Sequence, residues 1–274
     1  MPAHPPVEET APPLTGPVLM NQEWRDLTFL HWAVDPDRVA AYFPPGVRPH
    51  VLDGVTYVGL VPFRMRGAGF GSRVSVPWAG TFLETNVRLY SVGADGTPGV
   101  VFVSLDTDRA LVVAGARGGF AVPYRWAQMS YAVDRDTGPG AQPAGEGDPT
   151  GETHTYSARL RWAGRGPAAP AVRAARQNTS LVRVRVGERR EADERDLFLT
   201  SRWGLHTHHL GQDWFVPNEH GPWPLHDAEV LLLEDHLAAS VGLGDVVSRP
   251  PDHVAFSEGV HTVFGRPRDA RRPR

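Results

Sequence analysis

Short stretches rich in apolar and β-branched residues, separated by turns, set the pattern of this chain. Val55 to Met65, Thr81 to Val92 and Gly99 to Leu105 each read as a strand. So do Tyr124 to Val133 and Thr155 to Trp162. Leu181 to Val186 alternates apolar residues with Arg183 and Arg185, the signature of a strand with one wet face. Helical signals are fewer. Asp35 caps a short helix through Phe43, with Pro36 at its first position and Pro44-Pro45-Gly46 as its stop. Thr107 or Asp108 caps a second helix through Arg117, ended by Gly118-Gly119. Ala192 to Trp203 and Asp227 to Ala239 read as two more, although Val230 to Leu233 also fits a buried strand. The sum is an α+β chain, mainly β, which predicts a barrel or curled sheet with helices outside.

The 274 residues suit a single domain over 18–266. Residues 1–17 read as a Pro-rich tail, 267–274 as a basic tail, and 137–153 as a surface loop between strands. The 26 Pro and 29 Gly favour turns over long helices. With a formal net charge of -3, the expected partners include no nucleic acid. Near Met1 there is no apolar run of signal-peptide length, and Ala110 to Ala116 is too short to cross a bilayer. The expectation is a cytoplasmic protein without membrane contact; self-association into a homo-oligomer is compatible with the sequence.

Two absences bear on chemistry. All 28 basic residues are Arg and none is Lys, so no side chain can form an imine with a carbonyl substrate. There is no Cys, which removes disulfides and thiolate nucleophiles. Gly67 to Gly71 is Gly-rich but lies in no strand-to-helix context, so no nucleotide cofactor is expected.

Alternate residues of a strand share a face, which aligns Glu84, Asn86, Arg88 and Tyr90. Such a face points either to water or into a cleft, where a carboxylate, an amide, a guanidinium and a phenol would form a binding surface. The segment Ala116 to Arg125 reads as a helix end re-entering a strand, a junction that places side chains at a sheet end. His206 and His208 share a strand face and could join His220 or Glu219 around a metal, but the spacing fits no established zinc pattern. No metal is therefore assigned, and His220 before Pro222-Trp223-Pro224 reads as a structural corner.

Ordered along the chain are Trp24…Phe29-Leu30-His31-Trp32, Phe43-Pro44-Pro45-Gly46, Asp53-Gly54, Val61-Pro62-Phe63 and Glu84…Asn86-Val87-Arg88…Tyr90. Gly99…Phe102…Ser104-Leu105, Ala116-Arg117…Pro123-Tyr124 and His220…Pro222-Trp223-Pro224-Leu225 follow. Together they resemble the YqjF-like family of uncharacterised proteins, over about Trp24 to Pro267. The resemblance implies the fold of the acetoacetate decarboxylase-like superfamily, a curled β-barrel with an internal site and a few short peripheral helices. In the decarboxylases a strand Glu precedes a Gly-Arg-Glu…Pro-Lys-Lys element, whose first Lys is the nucleophile. The second Lys lowers the pKa of the first.

Glu84 is similar to that strand Glu, and Arg117 to Pro123 has the same six-residue spacing as the element's Arg to Pro. The two Lys positions then fall on Tyr124 and Arg125, and Gly118 stands where Glu would follow. The resemblance thus implies a pocket but removes Schiff-base decarboxylation. Its expected catalytic residues are Glu84 as general base and Tyr124 as general acid, for enolisation, dehydration or cyclisation of a small carboxylate or keto compound. Arg88, Arg117 and Arg125 would bind an anionic ligand, with Asn86, Tyr90 and Trp32 lining the site. A non-catalytic binder or sensor and a histidine-metal enzyme are the alternatives.

Overall fold

The computed structural model describes residues 7–72, 74–75, 80–109, 122–135, 147–162 and 178–271. Its strands are β1 (Met20–Val34), β2 (Arg48–Pro49), β3 (Thr56–Phe70), β4 (Val74–Ser75), β5 (Phe82–Val92), β6 (Pro98–Thr107) and β7 (Tyr124–Arg135). Then come β8 (Glu152–Trp162), β9 (Thr179–Arg189), β10 (Gly204–His209), β11 (Gln212–His220), β12 (Leu225–Asp235), β13 (His253–Phe264) and β14 (Arg268–Asp269). Three short helices interrupt them: α1 (Pro36–Val39), α2 (Glu194–Thr200) and α3 (Gly244–Val247).

All fourteen strands belong to one curled sheet. Its path runs β14-β11-β10-β6-β7-β8-β9-β12-β13-β1-β3-β5-β2, with β4 on β3, and the extra pairings β5–β6 and β11–β13 fold it back on itself. Two hydrogen-bonded circuits result. The smaller runs β6-β10-β11-β13-β1-β3-β5; the larger replaces β10 and β11 with β7, β8, β9 and β12. Strands β13, β1, β3, β5 and β6 serve both.

Strands β1 and β3 are therefore largely apolar on both faces, which explains their apolar runs in the sequence. On one face of β1 and β3, Leu27, Phe29, Val61, Phe63 and Met65 pack with Trp223. On the other, Leu30, Trp32, Val58 and Leu60 join Val182 and Val184 of β9 and Val246 of α3.

Most local expectations hold. Asp35 caps α1, its carboxylate accepting from Asp37 N. Val182, Val184 and Val186 are buried, while Arg183 and Arg185 are exposed. The helix expected over Ala192 to Trp203 is shorter, beginning behind a capping box of Asp193 and Asp196 and ending at Thr200.

The helix expected from Asp227 to Ala239 is a correction: the segment is strand β12, as its Val230–Leu233 alternative had it, although half-buried. Asp227, Glu229 and Leu231 are exposed and Ala228 and Val230 half-buried, a two-residue period. Antiparallel pairing to β9 along its length, anchored by Leu225 and His226 on β13, overrides the helical propensity of its Leu, Ala and Glu residues.

The helix expected through Arg117 lies outside the described residues beyond Arg109; of its first three positions, Thr107 ends β6 and Asp108 and Arg109 are not helical. Most of the 137–153 loop also lies outside them, between the antiparallel β7 and β8, and Glu152 already belongs to β8. Parts of both terminal segments are tied to the body. Trp203 Nε1 donates to Glu8 O, and Arg268 and Asp269, placed in the basic tail by sequence, pair with β11. Among the described residues no helix is long and apolar enough to cross a membrane.

Candidate active site

The smaller circuit encloses a cavity of about 470 Å³, lined by residues from each of its seven strands. The walls are mostly apolar and aromatic, with Trp24, Phe63, Phe82, Phe102 and Trp223 among them. Three residues of β5, Glu84, Asn86 and Arg88, face into it, so the polar face expected from sequence points to an interior.

Tyr124 opens β7, which runs parallel to β6 in register with Leu105. Its hydroxyl donates to Glu84 Oε2 at 2.9 Å. Burial pushes the Glu84 carboxyl up to about 8, and the hydrogen bonds from Tyr124 and Asn86 only partly oppose this. Burial also raises Tyr124 well above the ordinary phenol range, reinforced by the neighbouring Glu84. The pair is therefore a carboxyl that titrates close to neutrality and a phenol that stays protonated, side by side in an apolar pocket.

Arg88 marks the other end of the β5 face, four residues or about 13 Å along the strand. Its Nε donates to the Tyr90 hydroxyl at 3.2 Å and its Nη2 to Leu199 O at 2.9 Å. Since Arg88 can only donate, Tyr90 accepts from it and donates its own hydroxyl hydrogen to His31 Nε2 at 2.6 Å. His31 Nδ1 then donates to His253 Nδ1 at 2.9 Å, and His253 Nε2 to Asp196 at 2.7 Å. This direction needs a neutral His31, and burial, with His253, Arg88 and Arg202, holds its pKa well below the usual imidazole value.

Arg202 lines the same cavity and was missed in the sequence. It follows α2, its Nε donates to Phe198 O at 2.6 Å, and its Nη1 contacts His50 Nδ1 at 2.7 Å. Burial lowers its pKa to about 9, and Arg88 adds to the effect. His220 and Asn218, on alternate positions of β11, also line the cavity. Burial lowers His220 to about 4, and its Nδ1 donates to Gly221 O at 2.7 Å. The only cue to Arg202 in the sequence is a lone cation between Phe198-Leu199 and Trp203, which does not say where it points.

Three expected ligand contacts are corrected. Arg125 points away from the cavity, because it follows Tyr124 on the same strand and takes the opposite face. It forms a bidentate pair with the fully buried Asp106, at 2.7 and 2.6 Å, and donates to Ser240 Oγ at 2.7 Å. Trp32 is fully buried on the far side of β1, its Nε1 donating to Arg249 O at 2.8 Å. Tyr90 keeps the parity of Glu84 but lies beyond the cavity, behind Arg88. Arg117 lies outside the described residues.

The histidines scatter. His206 bonds Ser91 Oγ, His208 pairs with Asp213, and His220 packs among Trp24, Trp203 and Trp223. Among the described residues no group of three or more His, Cys, Asp or Glu could hold a metal ion.

Comparison with known proteins agrees with this architecture. Protein YqjF of Bacillus subtilis (strain 168), itself uncharacterised, is 28% identical over 211 residues, covering 77% of this chain and 76% of that protein. Among solved structures, acetoacetate decarboxylase from Legionella pneumophila subsp. pneumophila str. Philadelphia 1 superposes with a TM-score of 0.55 at 15% identity, covering 98% of this chain and 92% of that one. The enduracididine biosynthesis enzyme MppR, complexed with pyruvate, gives a TM-score of 0.56 at 14% identity, covering 93% and 91%. An acetoacetate decarboxylase-like enzyme from Sphingomonas wittichii RW1 gives 0.55 at 15%, covering 93% of both chains. These likenesses establish an acetoacetate decarboxylase-like fold. The sequence profile of one family, described as uncharacterised conserved protein, matches residues 21–261, and the chain belongs to that family, DUF2071.

Proposed function

We propose that the protein is a small-molecule enzyme that moves a proton on a carboxylate or keto compound, without an imine. The observation that carries this is the Tyr124–Glu84 hydrogen bond, 2.9 Å long, inside an apolar cavity. A general base works best when its pKa lies near the working pH. Glu84, at about 8, meets that condition as no solvated carboxylate would.

In the enolisation step, the ionised Glu84 carboxylate takes the proton from the carbon beside the substrate carbonyl. The C–H electron pair becomes the enolate, and its oxygen takes a hydrogen bond from the Tyr124 hydroxyl, which burial keeps protonated. Glu84 then returns its proton to a different carbon of an extended enolate, which completes an isomerisation, or to a β-hydroxyl whose C–O bond breaks as the enolate pair forms the C=C bond, which completes a dehydration. The solved relatives include enzymes of keto-acid chemistry, and one was obtained with pyruvate. The lysine nucleophile that the decarboxylase resemblance implies has no equivalent here, because the chain has no Lys.

The same absence favours a second reading, a binder or sensor that kept the pocket and lost the reaction. Incubation of the protein with a panel of keto acids and carboxylates in deuterated water separates the two. The enzyme reading expects exchange at the carbon next to the carbonyl, rising with pH through about 8 and lost in Glu84→Gln. A compound that binds but never exchanges, in wild-type protein at any pH, overturns it in favour of the binder.

A further inference from the structure

Two guanidinium groups line one cavity, yet no carboxylate pairs with either among the described residues. Arg88 is 9% exposed and Arg202 4%. Burying a charge without an opposite partner is costly, and placing two such charges together costs more. Backbone carbonyls at the end of α2 and the rings of Tyr90, Phe29 and Phe198 meet part of that cost. They do not use all the donors. An Arg offers five N–H bonds, and Arg88 Nη1 makes no hydrogen bond among the described residues.

Two further atoms of the wall are unpartnered. Asn86 Oδ1 and Asn218 Oδ1 are buried and accept nothing, although both residues line the cavity. The polar ends are thus a pair of cations at one end and Glu84 with Tyr124 at the other, with amides and aromatic walls also lining the space between the strands. The volume, about 470 Å³, lies within the range of pockets that enclose drug-sized ligands. A three-carbon keto acid would leave most of it empty.

We infer that the cavity takes a monocarboxylate with an apolar, ring-bearing body, its carboxylate on Arg88 and Arg202 and its reacting end beside Glu84 and Tyr124. The planar fork of a guanidinium matches a carboxylate by two parallel hydrogen bonds. Trp24, Trp223, Phe63 and Phe102 give the body flat apolar surface. The ligand class deepens the proton-transfer reading only in its orientation; binding at the arginines does not depend on any reaction at Glu84.

Binding of 4-phenylbutyrate, 4-phenylbutanamide, pyruvate and inorganic phosphate, measured by calorimetry on the full chain, tests the inference. The acid is expected to bind at least tenfold more tightly than its isosteric amide and than either small anion. Arg88→Gln and Arg202→Gln should bring acid and amide to similar affinity, with circular dichroism checking that each variant is folded. Should both variants unfold, the acid–amide comparison on wild-type protein decides alone. Equal binding of acid and amide, tighter binding of pyruvate or phosphate, or no binding of the phenyl acid overturns it. Glu84→Gln should still bind the acid, so loss of exchange with retained binding marks the chemistry, and loss of acid preference marks this inference.

Discussion

Glu84 illustrates how one buried carboxyl ties stability to pH. Its folded pKa, about 8, lies above the ordinary carboxylate value because burial disfavours the charge. Between the two values the unfolded chain releases its proton while the folded chain keeps it, so stability falls as pH rises and levels off above about 8. Glu84→Gln removes the titration. The variant should match wild type near pH 5 and melt at a higher temperature at pH 8 to 9, which thermal denaturation at both pH values checks. Arg125 behaves differently. Removing one member of its buried pair with Asp106 strands the other, so Arg125→Ala should cost about 3–5 kcal/mol in chemical denaturation. Residual folded protein should still prefer 4-phenylbutyrate over its amide, because Arg125 does not line the cavity. The two-residue period made the shared face of Glu84, Asn86 and Arg88 legible in the sequence. Applied to Tyr124 and Arg125 it also sets them on opposite faces, but it does not say which face is the cavity. Only the parallel register of β7 on β6 decides that, and such a long-range pairing leaves no local signal.

At the scale of elements, caps and alternation were readable and competition between partners was not. Asp35-Pro36 announces α1 because a cap acts within a few residues. Asp227 to Asp235 has residues that favour a helix, and it is a strand because it pairs along β9 as far as Asp235. A close approach elsewhere in β13 is equally invisible in the sequence. Gly259 sits at φ 120° opposite Arg25, where β1 bulges around Asp26 at φ 52°. A Cβ on Gly259 would lie 1.8 Å from Trp24 O. The backbone conformation also disfavours any L side chain. Gly259→Ala should therefore disrupt the β1–β13 pairing, with a loss of several kcal/mol. The Gly221→Ala control, where a Cβ meets nothing within 4 Å, should change stability by under about 1 kcal/mol. Similar urea midpoints for the two variants would show that the approach relaxes without cost.

For the whole molecule, the decisive feature is that two circuits share five strands. The cavity lies inside one circuit, and a solid apolar core fills the space on the other face of β1 and β3. Neither circuit can open without exposing strands that the other needs, so the fold has no weak seam between a binding half and a structural half. The sequence showed six of the fourteen strands and their apolar runs. It did not show the closures, because the β11–β13 contact joins Asn218 to Phe264 and the β5–β6 contact is only one of three that each strand makes. The consequence is one cooperative unit. Unfolding in urea, followed by far-ultraviolet circular dichroism for the sheet and by near-ultraviolet dichroism for the packed aromatic rings, should give coincident transitions. A ligand at 100 times its dissociation constant adds about 2.7 kcal/mol to the folded state. In a single unit that stabilisation must move both transitions together, although the ligand touches only the smaller circuit. If 4-phenylbutyrate moved the near-ultraviolet transition and left the far-ultraviolet one in place, the circuits would unfold separately, and the shared strands would not couple them.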